Sequence, residues 1–163
     1  MKIITIVSII KRPPDWVSDA VKEYCKRLSG EFELKFIDIP PVTRSKNTAS
    51  NKILLKEASS ILKMIPDNNY TIALDQKGKN ITTQNLAESM DQWSGMNQQV
   101  CFIIGGADGL CPTIKKVANE TWSLSSLTFP HAMVRMILAE QLYRASSILK
   151  NHPYHRDYQE RTV

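Results

Sequence analysis

Tyr154, His155 and Arg156 bring a phenol, an imidazole and a guanidinium into consecutive positions near the end of the chain, just after Asn151 and His152. An imidazole titrates near neutral pH, a guanidinium holds a phosphate or a developing anion, and aromatic rings stack on unpaired bases. Such a set suits single-stranded RNA; the plainer reading of the same residues is a frayed terminus. His152 and His155, separated by Pro153 and without a third ligand nearby, make a poor metal site, and no metal is expected. Glu140 and Arg144 stand one helical turn apart, the spacing of a favourable ion pair.

A second chemical stretch is VCFIIGGADG, Val100 to Gly109. Its apolar, β-branched start reads as a buried strand that stops at Gly105-Gly106, where the backbone is free of Cβ atoms. Pro112 then suits the first turn of a helix. Strand, glycine loop and helix in that order seat nucleotide-like ligands in many α/β proteins. The spacing is not G-x-G-x-x-G and no Gly-Lys-Ser/Thr is present, which argues against a nicotinamide or ATP site. The third stretch, WSLSSLTFPHAMVR, scatters Leu124, Leu127 and Phe129 irregularly among small hydroxyl residues. Serine and threonine compete for local backbone hydrogen bonds, so Trp122 to Phe129 is expected to form a tight loop at a strand end.

The elements that must position these stretches follow from periodicity. Ile3 to Ile10 form a strand broken by Pro13-Pro14, and Asp15 caps a helix with Val17, Ala20, Val21, Tyr24 and Leu28 on one face, closed at Gly30. Phe32, Leu34 and Phe36 alternate with Glu33 and Lys35 in a second strand that ends at Pro40-Pro41. Val42 to Asn51 is polar and aperiodic, so a mobile surface loop is expected, with Arg44 and Lys46 available to a phosphate backbone. The next helix turns Ile53, Leu54, Ala58, Ile61, Leu62 and Ile65 inward and stops at Pro66. Tyr70 to Asp75 is a third strand, followed by an expected polar turn, Gln76 to Lys79. Thr82 or Thr83 caps a helix with Leu86, Ala87, Met90 and Trp93 inward, closed by Gly95. A short helix with Ile114, Val117 and Ala118 follows the glycine loop. The last helix, His131 to Lys150, carries Val134, Ile137, Leu138, Leu142, Ala145, Ile148 and Leu149, a stripe broad enough for a core and a partner. Alternating strands and helices predict an α/β fold with a mostly parallel sheet flanked by helices. Ligands in such sheets bind outside the carboxyl ends of strands, which places Leu74 and Asp75 beside Gly105 if their strands are neighbours.

The bulk composition sets bounds. A chain of 163 residues suits one domain over 1–163. Lysine and arginine outnumber aspartate and glutamate by 21 to 16, a net charge of +5 that favours an anionic partner, with the excess spread along the chain and no basic tail. The apolar run before Lys11-Arg12 is too short to span a membrane and lacks a cleavage site, so a cytoplasmic protein without membrane attachment is expected. Three cysteines without a C-x-x-C pair suggest reduced thiols packed as small hydrophobes. A hydrolase would need an activated nucleophile, and no G-x-S-x-G is present. A bare nucleotide-binding module would use neither the hydroxyl-rich loop nor the tail.

IIGGADGL, WSLSSLTFPHAMVR and NHPYHR, in that order and over essentially the whole chain, resemble the ribosomal large-subunit methyltransferase H family, minimal members of the SPOUT class. The resemblance implies a single-domain SPOUT methyltransferase fold with a C-terminal trefoil knot, acting as a homodimer. It implies methyl transfer from S-adenosylmethionine to N3 of a pseudouridine in large-subunit ribosomal RNA, on assembled ribosomes. By the same resemblance the cofactor contacts fall on Leu74, Gly105, Leu124, Ser125, Ser126, Leu127, Thr128 and Phe129, and the functional tail on Tyr154, His155 and Arg156. His155, Tyr154 and Glu140 are candidates for assisting loss of the N3 proton, and Arg144 and Arg156 for holding phosphate or the uridine anion. The chain departs from the family pattern at Ala107, where a proline is frequent, and in its extension from Tyr158 to Val163.

Overall fold

The computed structural model describes residues 1–28 and 30–156, so the extension from Tyr158 to Val163 lies outside the described residues. The chain alternates β1 (Lys2–Ile9), α1 (Asp15–Leu28), β2 (Phe32–Ile39), α2 (Ser50–Met64) and β3 (Asn69–Asn80). It continues through α3 (Thr83–Gly95), β4 (Gln99–Ile104), α4 (Pro112–Val117), β5 (Glu120–Ser123) and α5 (His131–Leu149). The strands pair in the order β2-β1-β4-β3-β5, with every neighbouring pair parallel. Parallel strands covered by helices on both sides bury both faces, which is why β1 and β4 read as continuous apolar runs.

The two faces separate cleanly by residue parity. Ile4, Ile6 and Phe102 point to the side of α1, α3 and α5, where they meet Leu28, Met90, Trp93, Leu138 and Leu142. Val7, Ile9, Cys101 and Ile103 point to the side of α2 and α4, against Ala58, Ile61 and Ile114. Cys101 and Cys111 are buried thiols and Cys25 is partly buried, all three free. Thr82 caps α3 in a reciprocal arrangement, its hydroxyl accepting from the Asn85 N–H at 3.1 Å and the Asn85 side chain accepting from its own N–H at 3.1 Å. No helix among the described residues is long and apolar enough to cross a membrane.

Four expectations need correction. Gln76 to Lys79 is not a turn: β3 continues through it to Asn80, with a register irregularity between Leu74 and Lys79, both of which pair with Trp122. Its polar side chains lie mostly in solvent, and Gly78 is required because a Cβ there would stand 2.6 Å from the Trp122 carbonyl carbon. The hydroxyl-rich segment begins as strand β5, with Trp122 and Ser123 buried. Trp122 stacks on Trp93 at 6.0 Å and meets Phe102 edge-on at 5.9 Å, while its indole N–H donates to Glu120 at 2.8 Å. On α2, Leu62 faces outward, and Glu57 takes a buried place on the inner face with Ile53 and Ile61. On α5 the buried face includes Arg135, Ser146 and Ser147, whereas Leu149 is exposed. Arg135 tolerates burial because its guanidinium pairs with Asp38 at 2.7 Å and lies 4.4 Å from the Phe36 ring centroid.

Candidate active site

The sheet order brings the carboxyl ends of β4 and β5 to either side of the register irregularity that begins at Leu74 in β3. Leu74 is in register with Ile104 on one side and Trp122 on the other, so the glycine loop and the hydroxyl-rich loop leave the sheet next to each other. Between them lies a cavity of about 820 Å³, floored by the strand ends and reached by Lys115, His131 and Val134. Seven of the eight residues expected to hold a cofactor line it: Leu74, Gly105, Leu124, Ser125, Leu127, Thr128 and Phe129. Ser126 is exposed and does not line it.

Local chemistry shapes both loops. A Cβ on Gly105 would lie 2.5 Å from the Gly109 carbonyl oxygen, so this glycine is demanded by the loop's own backbone. Gly109, at φ +77°, closes the loop by donating its N–H to the Gly106 carbonyl at 3.0 Å. In the second loop the Ser123 hydroxyl donates to the Ser125 carbonyl at 3.0 Å, and the Leu127 N–H donates to the Ser125 hydroxyl at 2.9 Å. Gln76 reaches across from β3 and donates to the Thr128 hydroxyl at 2.9 Å. The hydroxyls thus build the loop from within. That leaves Leu127 70% exposed on a concave wall, a surface suited to a flat apolar group such as a nucleobase.

The charged lining comes in pairs. Asp75 meets Lys115 at 3.0 Å and accepts the Lys77 N–H at 2.8 Å. Burial works to raise its pKa, but the Lys77 N–H and the Lys115 ammonium outweigh burial and hold it below the ordinary carboxylate value. Asp108, on the glycine loop, pairs with Arg44. The Val42 to Asn51 segment is therefore fastened at Arg44 to the cavity wall, although it has no regular structure before α2.

Glu57 lies under the same loop: a Cβ on Gly106 would stand 3.6 Å from its carboxylate oxygen. Burial lifts its pKa above the ordinary value and Asp108 adds to the rise, opposed by the Val42 N–H and by Arg44. A carboxyl with a raised folded-state pKa contributes stability that is fully present below the ordinary value of 4.5 and is lost as pH climbs from there through the raised folded-state value. Glu57→Gln, which keeps an acceptor for Val42, is therefore expected to melt at a higher temperature than the parent at pH 7. The difference should close as pH falls below about 4.5; thermal melts across pH check it.

Glu140, Arg144 and Tyr154 form a separate group. Arg144 donates to Glu140 at 2.5 and 2.8 Å, and the Tyr154 hydroxyl donates to the same carboxylate oxygen at 3.1 Å. The Tyr154 ring packs 4.6 Å from Tyr143 and lies 4.8 Å from the Arg144 guanidinium. Burial first, then hydrogen bonding with Tyr24 and the charge of Glu140, raise the Tyr154 pKa far above the ordinary phenol, so it stands as a donor at neutral pH. None of Glu140, Arg144, Tyr154, His155 or Arg156 lines this cavity. From Val134, which does, the rise of α5 carries Arg144 about 15 Å further along the axis.

Sequence reasoning missed Lys115, Asp108 and Glu57. Glu57 had a visible signal, since it falls between Ile53 and Ile61 on the i, i+4, i+8 rail of an otherwise basic helix. Asp108 and Lys115 had none, because their partners are distant in the chain. Among the described residues no group of three or more His, Cys, Asp or Glu side chains is placed to hold a metal ion.

The chain is similar to the Ribosomal RNA large subunit methyltransferase H of Marinomonas sp. (strain MWYL1), 43% identical over 153 residues, covering 94% of this chain and 99% of that protein. The protein of the same name from Legionella pneumophila (strain Paris) is 44% identical over 153 residues, covering 94% and 98%. In fold it is similar to a probable methylase family protein from Haemophilus influenzae Rd KW20, with a TM-score of 0.57 at 12% identity, over 96% of this chain and 71% of that one. A probable methyltransferase from Bordetella pertussis Tohama I gives 0.55 at 12% identity, over 88% and 93%. The family model described as "Predicted SPOUT methyltransferase" matches residues 1–155, and the chain belongs to the SPOUT methyltransferase family.

Proposed function

We propose that the protein is a cytoplasmic homodimer that transfers a methyl group from S-adenosylmethionine to N3 of a pseudouridine in large-subunit ribosomal RNA, on assembled ribosomes. The observation that carries this reading is the cavity at the ends of β4 and β5, on either side of Leu74 in β3, in a chain 43% identical to a protein named Ribosomal RNA large subunit methyltransferase H. The C-terminal trefoil knot belongs to the same reading.

The residues present fit the cofactor. Leu124, Leu127, Phe129 and Val134 offer apolar surface for an adenine, and the glycine loop offers backbone close to it. Asp75, Asp108, Lys77 and Lys115 offer both signs of charge for an amino acid zwitterion beside a sulfonium. When bound, the cofactor supplies an electrophilic methyl group that needs no metal. The chain's own residues must then place the nucleotide in line and help N3 shed its proton. Tyr154, a donor already engaged with Glu140, suits orientation and stacking. His155 and Glu140 are the groups proposed to assist the proton, and Arg144 and Arg156 to steady phosphate or the uridine anion. Because these residues stand off their own cavity, the active site is proposed to pair the cavity of one protomer with the tail of its partner.

Tritiated methyl donor, offered with large ribosomal subunits that lack the modification and with naked RNA side by side, tests this reading. Label is expected in the RNA of the subunits, and mass mapping should place it on N3 of a pseudouridine. Label confined to protein, or methyl on a ribose oxygen or a base carbon, would overturn it.

A further inference from the structure

Contrary to the diffuse basic excess expected from composition, most of the net charge of +5 falls in one segment of the chain. Residues 42–66 hold five cations, Arg44, Lys46, Lys52, Lys56 and Lys63, against a single carboxylate, Glu57, which is buried. On α2 the lysines lie on the outward face at positions 52, 56 and 63, all exposed, over an axial length of about 17 Å. None of them makes an ion pair among the described residues. The helices on the other side of the sheet behave differently. Exposed α1 pairs its own charges, Lys22 with Asp19 at 3.9 Å and Arg27 with Glu23 at 2.8 Å, and α3 carries Glu88 and Asp91 with no basic residue.

We infer that the outward face of α2, together with the loop before it, is the surface along which the protein holds the phosphate backbone of its RNA. The inference rests on the RNA substrate proposed above. An unneutralised row of lysines fits a polyanion, and a phosphate backbone gains affinity from such a row through counterion release. Continuity with the cavity favours RNA over other anionic partners. The row leads into the 42–49 loop, whose Arg44 is paired with Asp108 on the cavity wall, so a strand lying along α2 is carried to the place of reaction. A membrane surface fits less well, because the apolar side of α2 is spent on the core and its exposed apolar side chains, Leu55, Leu62 and Met64, are scattered beside the lysine row and form no continuous stripe.

Lys52→Gln/Lys56→Gln/Lys63→Gln tests the assignment, since all three side chains are exposed and none supports the fold. Binding to a transcribed large-subunit RNA should weaken about tenfold or more, and its log-log salt slope should fall by about three. On ribosomal subunits the rise should appear in KM with kcat and cofactor affinity unchanged, while Glu88→Gln/Asp91→Asn on α3 leaves all three unchanged. RNA affinity and salt slope equal to the parent, in a protein that still methylates RNA, would overturn the surface and leave the function standing. A KM rise on subunits with naked RNA binding unaffected would assign the face to a ribosomal protein and also overturn it. A parent protein that modifies no RNA would remove both readings.

Discussion

Truncation after His152 is expected to lower methyl transfer to ribosomal RNA by about a hundredfold or more, the scale of a lost acid–base and positioning group. Cofactor affinity should change by less than about twofold, because none of the described tail residues, Pro153 to Arg156, lines the cavity. The truncation also strips Tyr154 from Tyr143 and Arg144, a contact that the sequence does not announce, so part of any loss is packing. Tyr154→Phe separates the two effects: the ring stays and the hydrogen bond to Glu140 goes. His155→Ala and Arg156→Ala, read as kcat at saturating RNA, then apportion the remainder. A truncated protein with full activity would take the tail out of the mechanism.

Gly105→Ala should cost about tenfold or more in cofactor affinity, by calorimetry on folded protein. The new methyl would stand 2.5 Å from the Gly109 carbonyl oxygen, so the loop that forms the cavity wall must shift. That variant reports on the loop as much as on the ligand. Leu127→Asp is the cleaner probe, because its side chain is exposed on the lining and puts a charge where an apolar group is expected to lie. It should match the parent in melting temperature and still lose affinity. Undiminished affinity in Leu127→Asp would remove the hydroxyl-rich loop from the cofactor site.

The parallel sheet was legible because burial on both faces turns strands into apolar runs, and Gly105-Gly106 after such a run marks a strand end. Leu74 could be set beside Gly105 because ligands of parallel sheets bind at strand ends, whereas the 124–129 loop was assigned to the same site through the family resemblance. What escaped depends on neighbours distant in the chain. Gln76 to Lys79 looks like a turn because it is polar, yet it is held as strand by pairing with β5, and Gly78 is explained only by the approach of the Trp122 backbone. The 42–51 segment looks free because it is polar and aperiodic, yet Ser45 and Thr48 close a short turn within it and Arg44 finds Asp108 across 64 positions of sequence. Arg135 interrupts the stripe of α5 and is nonetheless buried, since Asp38 and Phe36 on β2 receive it. The separation of Tyr154 from the cavity is likewise a three-dimensional fact, and it gives the shared site its motive.

Mixing two inactive variants tests the account most directly, because recovery requires methyl transfer, dimerisation and a site shared between protomers all at once. The truncation after His152 retains a cavity and lacks a tail; Leu127→Asp retains a tail and lacks a competent cavity. Refolded together in equal amounts, half of the dimers are mixed, and each mixed dimer holds one cavity facing one intact tail. The account predicts recovery of about a quarter of the parent's methyl transfer to ribosomal subunits, from two variants that are each nearly inert. No recovery in a mixture shown by sedimentation to contain mixed dimers would contradict it.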